Sequence, residues 1–375
     1  LSEPCDHVYV HHRTLGDQDL FVLVNDKPIE YEGTIRLYGN GGVTVYDPQT
    51  GGAYEPECVS GDGYEEIRFP LSGLQAIVIE ATPKPAGEAV PSTGAGVHRQ
   101  VEMLDLNGEW QFAPDDGLNL MRLDIEVSAG ESGVWHPATD FIFPGGAGFD
   151  PGTPYEARAA FPIAQLPGLL EMAMDPEEGG TIVVNDVELT PDRKEHVWDR
   201  TNVIYNLTDA VKSGRNTVRW RGRIPSWEAP HVPAFAVLRG TFGVDADRAV
   251  IARPDRQLVP GSWTEQGYPD LSGTGVYRKE VRLDAVQAAG RATLLVEQCR
   301  DAVELWCNGE RAGISLWNPH RFELTGRMRE GTNIVELRVA NTLANLFEKS
   351  EPSGLTGGVG LKVEGSTAHK DVLPG

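Results

Sequence analysis

The chain has 375 residues, of which 43 are Gly and 26 are Pro, and it carries 33 Lys and Arg against 55 Asp and Glu. Its net charge of −22 would repel the phosphates of nucleic acids and anionic lipid headgroups, so neither is an expected partner. No stretch reaches the ~20 apolar residues that a membrane-spanning helix needs. The length predicts two or three domains, and the many turn-forming residues favour strands over long helices.

The N-terminus and the cysteines give little direction. The first residues lack the pattern of a signal peptide, and Leu1 is not an initiator Met, which indicates a processed or excised chain. The compartment stays open, with a secreted or periplasmic location expected before a cytoplasmic one. The four cysteines match no zinc-binding pattern, and they are Cys5, Cys58, Cys299 and Cys307. A disulfide between Cys5 and Cys58 and free buried thiols are both open alternatives.

Residues 1–82 predict a first β-sandwich. Short apolar or alternating runs are separated by Gly, Asp, Asn and Pro, as in HVYVHHR, LFVLVN, GTIRLYG, GVTVYDPQTG, EEIRFPL and QAIVIEA. His7 and His11 share one face of a predicted strand, and no third ligand stands at useful spacing, so a metal site is not favoured. Residues 83–100 are rich in Pro, Gly, Ala and Ser without an apolar period and predict a linker.

A second domain is predicted over residues 101–247, opening with LDLNGEWQF. A long irregular section follows from Trp135, and loops of that length in a compact domain are usually functional or cover another domain. Three tryptophans surround the later part of the domain, namely Trp198, Trp220 and Trp227. They are predicted to lie in the core or at a domain interface rather than to form a sugar platform.

A third domain is predicted over residues 248–366, with a frayed tail at 367–375. Apolar residues alternate along residues 303–307, and Asn308-Gly309 then predicts a type I′ hairpin turn because both residues tolerate positive φ. Thr325 is expected to cap a single helical turn that ends at Gly331. The two-residue period resumes at 335–339, and a last strand is predicted near 359–363.

An internal repeat links the second and third domains. Residues 205–221 (YNLTDAVKSGRNTVRWR) align without a gap on residues 322–338 (FELTGRMREGTNIVELR), at an offset of 117 residues. Asn185-Asp186 takes the place of Asn308-Gly309, and Asn216 and Asn333 each follow a Gly expected at positive φ, which assigns them to loop stabilisation. The repeat predicts two copies of one sandwich module within an all-β fold of three β-sandwich domains, the last two galactose-binding-like jelly rolls.

These motifs resemble the accessory domains of large glycoside hydrolases. LNGEWQF, the NG turn, the L-T-x-x-x-x-x-G-x-N element and the Asn after the following strand are similar to the galactose-binding-like jelly rolls of glycoside hydrolase family 2. The nearest likeness is to glycoside hydrolase family 106, the α-L-rhamnosidases, where DAVELWCNGERAG, LWNPHRFELT and VANTLANL look like the C-terminal sandwich. HVYVHHR with VTVYDPQTG looks like the sandwich that follows the catalytic barrel. The likeness is strongest over 260–362 and weakest over 113–180.

The resemblance also implies what this chain lacks. Catalysis in that family is attributed to two glutamates on a (β/α)₈ barrel, and no eightfold alternation of strands and helices is legible here. We therefore expect a non-catalytic carbohydrate-binding and scaffold region, with no catalytic residue of its own. The expected partners are a carbohydrate, in particular a rhamnose-containing glycan, and the catalytic barrel of the parent protein. No cofactor is required, and structural calcium stays open because jelly rolls hold it through groups that leave no motif.

Loops of such jelly rolls can reach toward a barrel's pocket, which implies a set of sugar-binding candidates. By position these are Arg300, Asp301, Trp317, His320, Arg321, Asn341 and Asn345. An aromatic face suits the C–H surface of a sugar, and planar polar groups suit its neighbouring hydroxyls. The alternatives are structural: Asn341 can cap a strand end, Arg321 can pair with Asp301, and Trp317 can plug the mouth of the sandwich.

Two other functions remain open from the sequence. One is a self-contained carbohydrate-active enzyme with a site between the sandwiches, using the 135–160 loop and an acid such as Asp140 or Asp150. The other is a free-standing lectin-like module.

Overall fold

The computed structural model describes residues 5–27, 31–38, 41–48, 51–61, 64–71, 75–83, 100–131, 133–141, 150–175, 180–224, 235–252, 257–318, 320–348 and 350–365. The predicted all-β class is confirmed, since helix in these residues is confined to α1 (Ala285–Ala289), α2 (Ala344–Phe347) and single 3₁₀ turns at Ala138–Phe141 and Trp263–Glu265. None of these helices is long and apolar enough to cross a membrane.

The chain divides into two compact units. Unit 1 comprises Leu1–Glu109, Arg278–Val339 and Leu355–Gly375, and unit 2 comprises Trp110–Tyr277 and Ala340–Gly354.

The first sandwich lies in unit 1. Its strands are β1 (Val8–Leu15), β2 (Gln18–Asn25), β3 (Tyr31–Tyr38), β4 (Gly41–Tyr46), β5 (Ala53–Tyr54), β6 (Cys58–Gly61), β7 (Tyr64–Leu71) and β8 (Ala76–Pro83). They form one sheet in the order β1-β2-β8-β4-β5 and another in the order β3-β7-β6, and their inward side chains share one core. Each of the six predicted runs is a strand. The predicted linker lies outside the described residues from 84 to 99.

All four cysteines are free thiols, so the open disulfide between Cys5 and Cys58 is not formed. Cys5 packs against the core of the first sandwich, whereas Cys58 is exposed at the start of β6, with its Sγ 3.5 Å from the carbonyl oxygen of Pro56. Cys299 and Cys307 are buried, and burial raises the pKa of both thiols. Buried thiols of this kind behave as small apolar side chains.

The next two strands correct the predicted domain boundary at residue 101. Strand β9 (Gln100–Asp105) pairs antiparallel with a strand at Val359–Gly365, and β10 (Trp110–Pro114) pairs with one at Gln257–Leu258. Both partners belong to the third sandwich, so two strands of that sandwich precede the second sandwich in the sequence. Hydrogen bonding fixes this membership, and it joins Asp105 to Gly360 and Trp110 to Leu258, which are 255 and 148 residues apart.

The second sandwich lies in unit 2. Its strands are β11 (Asn119–Arg122), β12 (Glu126–Ala129), β13 (His136–Pro137), β14 (Pro154–Ile163), β15 (Leu170–Met174), β16 (Thr181–Val184), β17 (Val187–Leu189), β18 (Arg193–Lys194), β19 (Val203–Asn206), β20 (Gly214–Arg223), β21 (Ala236–Gly240), β22 (Phe242–Val244) and β23 (Val250–Ala252). One sheet has the order β11-β21-β15-β19-β18 and the other β13-β12-β14-β20-β16-β17, with β23 joined to β14 and β22. Because Val250 pairs with Ile163, this sandwich extends past the predicted boundary at 247.

The third sandwich is completed by the remaining strands. These are β24 (Gln257–Leu258), β25 (Thr274–Leu283), β26 (Arg291–Val296), β27 (Ala302–Cys307), β28 (Glu310–Ser315), β29 (His320–Glu323), β30 (Gly331–Ala340) and β31 (Val359–Gly365). One sheet has the strand order β24-β10-β25-β30-β27-β28, and the other has the order β29-β26-β31-β9.

The strand orders confirm the internal repeat. The run β14-β20-β16-β17 of the second sandwich corresponds to β25-β30-β27-β28 of the third, and β19-β15-β21-β11 corresponds to β29-β26-β31-β9. The inward residues alternate as the sequence predicts, with Val303, Leu305, Val335, Leu337 and Val339 all fully buried. A duplicated module therefore accounts for two of the three sandwiches.

The hairpin turns of the two copies use the same chemistry. Asn308 and Gly309 have φ of 52° and 85°, and Asn185 and Asp186 have φ of 48° and 73°, the left-handed region that a type I′ turn requires. Nδ2 of Asn308 donates to the side-chain oxygen of Asn333 over 2.9 Å, and Nδ2 of Asn185 donates to that of Asn216 over 2.6 Å. Both acceptors are buried and lie on the long neighbouring strand. The predicted loop-stabilising role of these asparagines agrees with this geometry.

The expected helical turn after Thr325 is instead a non-helical hydrogen-bonded turn. The Thr325 hydroxyl accepts a hydrogen bond from the backbone N–H of Ala292 on β26 over 3.0 Å. In the second sandwich the Thr208 hydroxyl accepts from Leu170 in the same way, over 3.2 Å. The Thr side chain thus joins the turn to a neighbouring strand. The segment itself is too short to form a stable helix.

Candidate functional site

His320 is the most constrained of the sequence-predicted binding residues. It is fully buried in unit 1, with Nδ1 2.7 Å from the Ser315 hydroxyl and Nε2 2.8 Å from the carbonyl oxygen of Cys299. Burial lowers the pKa of His320, against the opposing effect of the hydrogen bond to Cys299. Both ring nitrogens are engaged within the domain, so His320 shapes the rim and does not face a ligand.

The rest of that rim is more open. Arg300 and Arg321 are exposed, whereas Asp301 and Trp317 are half-buried. The Asn318 side-chain oxygen accepts a hydrogen bond from the backbone N–H of Cys299 over 3.0 Å, which holds the 299–301 segment beside the loop that carries Trp317. The structure therefore brings these predicted residues to one edge of the third sandwich.

Asn341 and Asn345 lie in unit 2 and organise loops. The side-chain oxygen of Asn341 accepts from the backbone N–H of Gly273 over 2.8 Å, and its Nδ2 donates to the carbonyl of Leu271 over 2.8 Å. Asn345 is buried and exchanges hydrogen bonds with the backbone of Glu351 over 2.9 and 3.1 Å. Asn341 thus fixes the backbone of residues 271–273, which form one wall of a cleft.

That cleft has a volume of about 230 Å³ and lies in unit 2. Its walls come from residues 114–120, from His196 and Val197, and from residues 271–274, while Arg239 of β21 contributes a cation. Gly273 has a φ of 143°, and a β-carbon built on it would meet no atom within 4 Å. A glycine is required at this φ, and it also leaves the cleft unobstructed.

An ion network holds the cation in place. Arg239, with 9% of its side chain exposed, donates to Glu195 over 2.7 Å and to Asp116 over 3.3 Å. Glu195 also accepts from Arg193 over 2.8 Å. Arg193 in turn forms a bidentate pair with the buried carboxylate of Glu171, over 2.8 and 3.0 Å. Bidentate pairs of this kind fix orientation as well as charge, so the guanidinium group of Arg193 is rigidly placed, and Arg193 shares the Glu195 carboxylate with Arg239.

The network also keeps the Glu195 carboxyl group ionised. Burial alone raises the pKa of Glu195, but the hydrogen bonds from Arg239 and Arg193 outweigh it, and the pKa lies below its ordinary value. The hydrogen bond to Glu171 is the main cause of the raised pKa of Arg193. At neutral pH these groups are therefore fixed charges and not proton donors.

The wall that carries His196 is held by a single buried side chain. The side-chain oxygen of Asn202 accepts hydrogen bonds from the backbone N–H groups of Val197, Trp198 and Asp199, over 3.3, 2.9 and 2.8 Å. Its Nδ2 donates to Asp175 over 3.0 Å. The loop is thus ordered before any ligand arrives.

An apolar cluster supports the same wall. Leu120 and Val197 both line the cleft and both belong to this cluster on the outer face of the sheet that contains β11 and β21. Its other members are Ala173, Ile204, Val237, Leu346, Trp198 and Phe235. The Trp198 and Phe347 rings lie edge to face at 6.3 Å. Trp198 is half-buried here and Trp220 is in the core, whereas Trp227 lies outside the described residues.

The sequence also left open structural calcium and two candidate acids, Asp140 and Asp150. Within the described ranges, no group of three or more His, Cys, Asp or Glu side chains is placed to hold a metal ion. Asp150 is exposed in a turn before β14, and the side chain of Asp140 lies outside the described residues.

The residues of the cleft and of its ion network were missed by sequence reasoning, although two of them left a signal. Glu171 and Arg239 each stand inside an apolar strand run, LEMAM and AVLRG. A charged residue in such a run is rarely buried unless it is paired. The two could therefore have been predicted as an ion pair, but Asp116 and Ser272 are ordinary loop residues in the sequence.

Comparison with known proteins gives limited matches. No model of a known protein family matches the chain. The β-galactosidase of Yersinia pestis bv. Antiqua (strain Angola) is 28% identical over an alignment of 103 residues, and the match covers 22% of this chain and 10% of that protein. Very similar matches are found to β-galactosidases of Yersinia pseudotuberculosis. The chain thus matches about a tenth of these relatives.

The solved structures that resemble the chain include two rhamnosidases and a glycosyl hydrolase family 2 member. A rhamnosidase from Novosphingobium sp. PP1Y is 15% identical, with 97% of this chain and 24% of that chain covered and a TM-score of 0.47. The α-L-rhamnosidase of Streptomyces avermitilis, complexed with L-rhamnose, is 14% identical, with 96% and 39% covered and a TM-score of 0.32. A glycosyl hydrolase family 2 member from Bacteroides cellulosilyticus DSM 14838 is 14% identical, with 64% and 31% covered and a TM-score of 0.23. This chain therefore spans about a quarter of the first protein.

Proposed function

We propose that the chain is a non-catalytic carbohydrate-binding and scaffold region of an α-L-rhamnosidase-like glycoside hydrolase, whose catalytic barrel is not part of this chain. The observation that carries the proposal is the state of its carboxyl groups. Hydrolysis of a glycoside requires one carboxylic acid with a raised pKa opposite a second carboxylate. Among the described residues, every carboxyl group whose pKa departs from its ordinary value has a lowered pKa. These groups are Asp6, Asp19, Glu195, Asp199, Glu304 and Glu336.

The buried carboxylates support the same conclusion, because each is held by arginine. Glu171 pairs with Arg193, and Asp270 pairs with Arg248 over 2.6 Å. Glu336 accepts from Arg278 over 2.5 Å and from Arg338 over 2.8 Å. The hydrogen bonds from Arg278 and Arg338 outweigh the effect of burial and lower the pKa of Glu336, which makes this carboxylate unsuited to donate a proton to a leaving group.

The binding half of the proposal has two supports. The cleft combines apolar walls with carboxylate, guanidinium, imidazole and hydroxyl groups, which is the mixture that the C–H faces and hydroxyls of a sugar require. In addition, a short segment of the chain is similar to β-galactosidases over 103 residues. The specific expectation of rhamnose rests on the sequence resemblance and remains part of the proposal.

Two assays on the purified chain test the proposal. We expect no release of 4-nitrophenol from 4-nitrophenyl α-L-rhamnoside, while titration calorimetry with rhamnose, galactose and plant-wall oligosaccharides gives binding heat for at least one sugar. Turnover that follows the protein through stringent purification would refute the non-catalytic assignment. Absence of heat with every sugar in the panel would contradict the binding assignment.

A further inference from the structure

We infer that the unit 2 cleft binds a single uncharged sugar ring and rejects acidic sugars. This inference rests on the carbohydrate-binding function proposed above and places it at a site that the sequence did not indicate. It also moves the binding site away from the Arg300–Arg321 rim of the third sandwich. Size, charge and rigidity each contribute to the argument.

The size of the cleft limits the ligand. Pockets for drug-sized molecules have volumes of roughly 300–1,000 Å³. The present cleft, at about 230 Å³, is smaller. It therefore accommodates one ring of a glycan and leaves the remaining rings outside.

The charges around the cleft limit the chemistry. Asp115 and Asp116 line it, and Glu195 lies behind Arg239. Arg239 already donates to Glu195 and Asp116, so its positive charge is neutralised within the network. A uronic acid would bring its carboxylate toward like charges, which is unfavourable at short range. The hydroxyls of a neutral sugar can instead donate to those same carboxylates.

The rigidity of the cleft walls lowers the entropic cost of binding, so weak polar contacts can contribute to affinity. Asn202 holds the His196 loop with three backbone hydrogen bonds, and Asn341 holds the opposite wall through Leu271 and Gly273. A preformed site loses little conformational entropy when it binds, so a small ligand retains more of its contact energy. The predicted residue Asn341 acts here as a positioning residue.

The test compares a matched pair of ligands on wild-type protein by titration calorimetry. Methyl β-D-galactoside and methyl β-D-galacturonide differ only at C6, which is a hydroxymethyl group in one and a carboxylate in the other, and methyl α-L-rhamnoside is a second neutral probe. We expect a neutral probe to bind at least tenfold more tightly than the galacturonide. Equal or tighter binding of the galacturonide would overturn the rejection of acidic sugars.

Variants then locate the site. Ser272→Trp places a large side chain at one wall, and His196→Trp does so from the exposed opposite loop, which keeps the test valid if the first variant does not fold. We expect each folded variant to lose at least tenfold in affinity, and Asp116→Asn to weaken binding severalfold. Lys362→Met on the third sandwich should leave affinity unchanged.

Binding of a neutral sugar that both tryptophan variants retain would refute the cleft as the site while leaving the proposed carbohydrate-binding function intact. Absence of binding by every probe in the wider sugar panel would refute the proposed function itself.

Discussion

The second and third sandwiches share a strand order but differ on one outer face. In the second, Arg239 on β21 lies opposite Glu171 on β15 and Leu120 on β11. The corresponding positions in the third are Lys362, Thr293 and Met103. Leu120 is 7% exposed, whereas Met103 is 55% exposed. The first face is covered and carries an ion network and a cleft, while its counterpart is open.

This difference separates what maintains the fold from what supports a site. The inner faces, the positive-φ hairpin turns and the buried asparagines are retained in both copies, and they determine the sandwich. The outer face is free to change, because its side chains do not enter the sandwich core. A duplicated module can thus acquire a ligand site in one copy only.

The largest expected loss of stability follows from removal of Arg239, the cation on the covered face. Arg239→Met would leave Glu195 and Glu171 with Arg193 alone, and removal of one partner from a buried ion pair costs about 3–5 kcal/mol. Lys362→Met is the matched control. Its single contact with Glu364 is partly exposed, with 37% and 22% of the two side chains open to solvent, and we expect a loss below about 1 kcal/mol. Urea unfolding of both variants checks this, and equal losses would refute the comparison.

A slightly smaller loss of stability is expected when Leu120, an apolar residue on the same face, is replaced. Leu120→Ala removes a buried side chain from the cluster that supports the cleft wall, at a cost of roughly 2–4 kcal/mol. Met103→Ala, at the matching position of the third sandwich, should cost about 0.5 kcal/mol because Met103 is exposed. Thermal and urea unfolding would test the pair, and a Met103 loss as large as that of Leu120 would contradict an open face.

The shared features should behave alike in both copies. Asn216 and Asn333 are fully buried, and each exchanges hydrogen bonds with the backbone four residues earlier, over 2.7 and 2.9 Å. Replacement by Ala leaves buried backbone groups unpaired, so each variant should lose about 1–3 kcal/mol. Urea unfolding should give losses that agree within about 1 kcal/mol, the spread expected from context. A neutral change at one position alone would break the equivalence.

The smallest effect is a pH dependence that both sandwiches share. The folded-state pKa values of Glu195 and Glu336 lie below the ordinary value of 4.5, so the unfolded chain binds protons first as the pH falls. Their contribution to stability is complete above pH 4.5 and is lost as the pH falls through the lowered pKa values. Urea midpoints between about pH 7 and pH 3 should show this loss. Arg239→Met should reduce the loss, and Lys362→Met should not; identical profiles would contradict the network.

Much of the fold could be predicted because its determinants are local. Asn308-Gly309 has few conformations other than a tight turn, and the alternation through Val335, Leu337 and Val339 requires one buried strand face. The membership of β9 and β10 could not be predicted, since a short strand does not identify a partner that lies 255 or 148 residues further along the chain. The helical turn expected at Thr325 does not form, because the segment is too short for a stable helix, and the Thr325 hydroxyl accepts a hydrogen bond from the neighbouring strand instead.

The candidate site was less predictable for the same reason. Arg239 and Asp116 are 123 residues apart in the chain, and only the fold brings them together. Their neighbours in sequence show no spacing that identifies a ligand site. The rim residues Trp317 and Arg321 were predicted as sugar-binding residues because they lie in a motif that resembles a known family. Such a motif indicates an equivalent position in the fold and does not show contact with a ligand.

The central claim is that the covered face of the second sandwich, and not its counterpart, binds the sugar. Hydrogen–deuterium exchange with and without saturating methyl β-D-galactoside, and in parallel methyl α-L-rhamnoside, tests this most directly. The account predicts slower exchange in residues 114–120, 195–202 and 271–274, with no change in residues 100–105, 300–321 and 359–365. Slower exchange confined to residues 300–321 would contradict it.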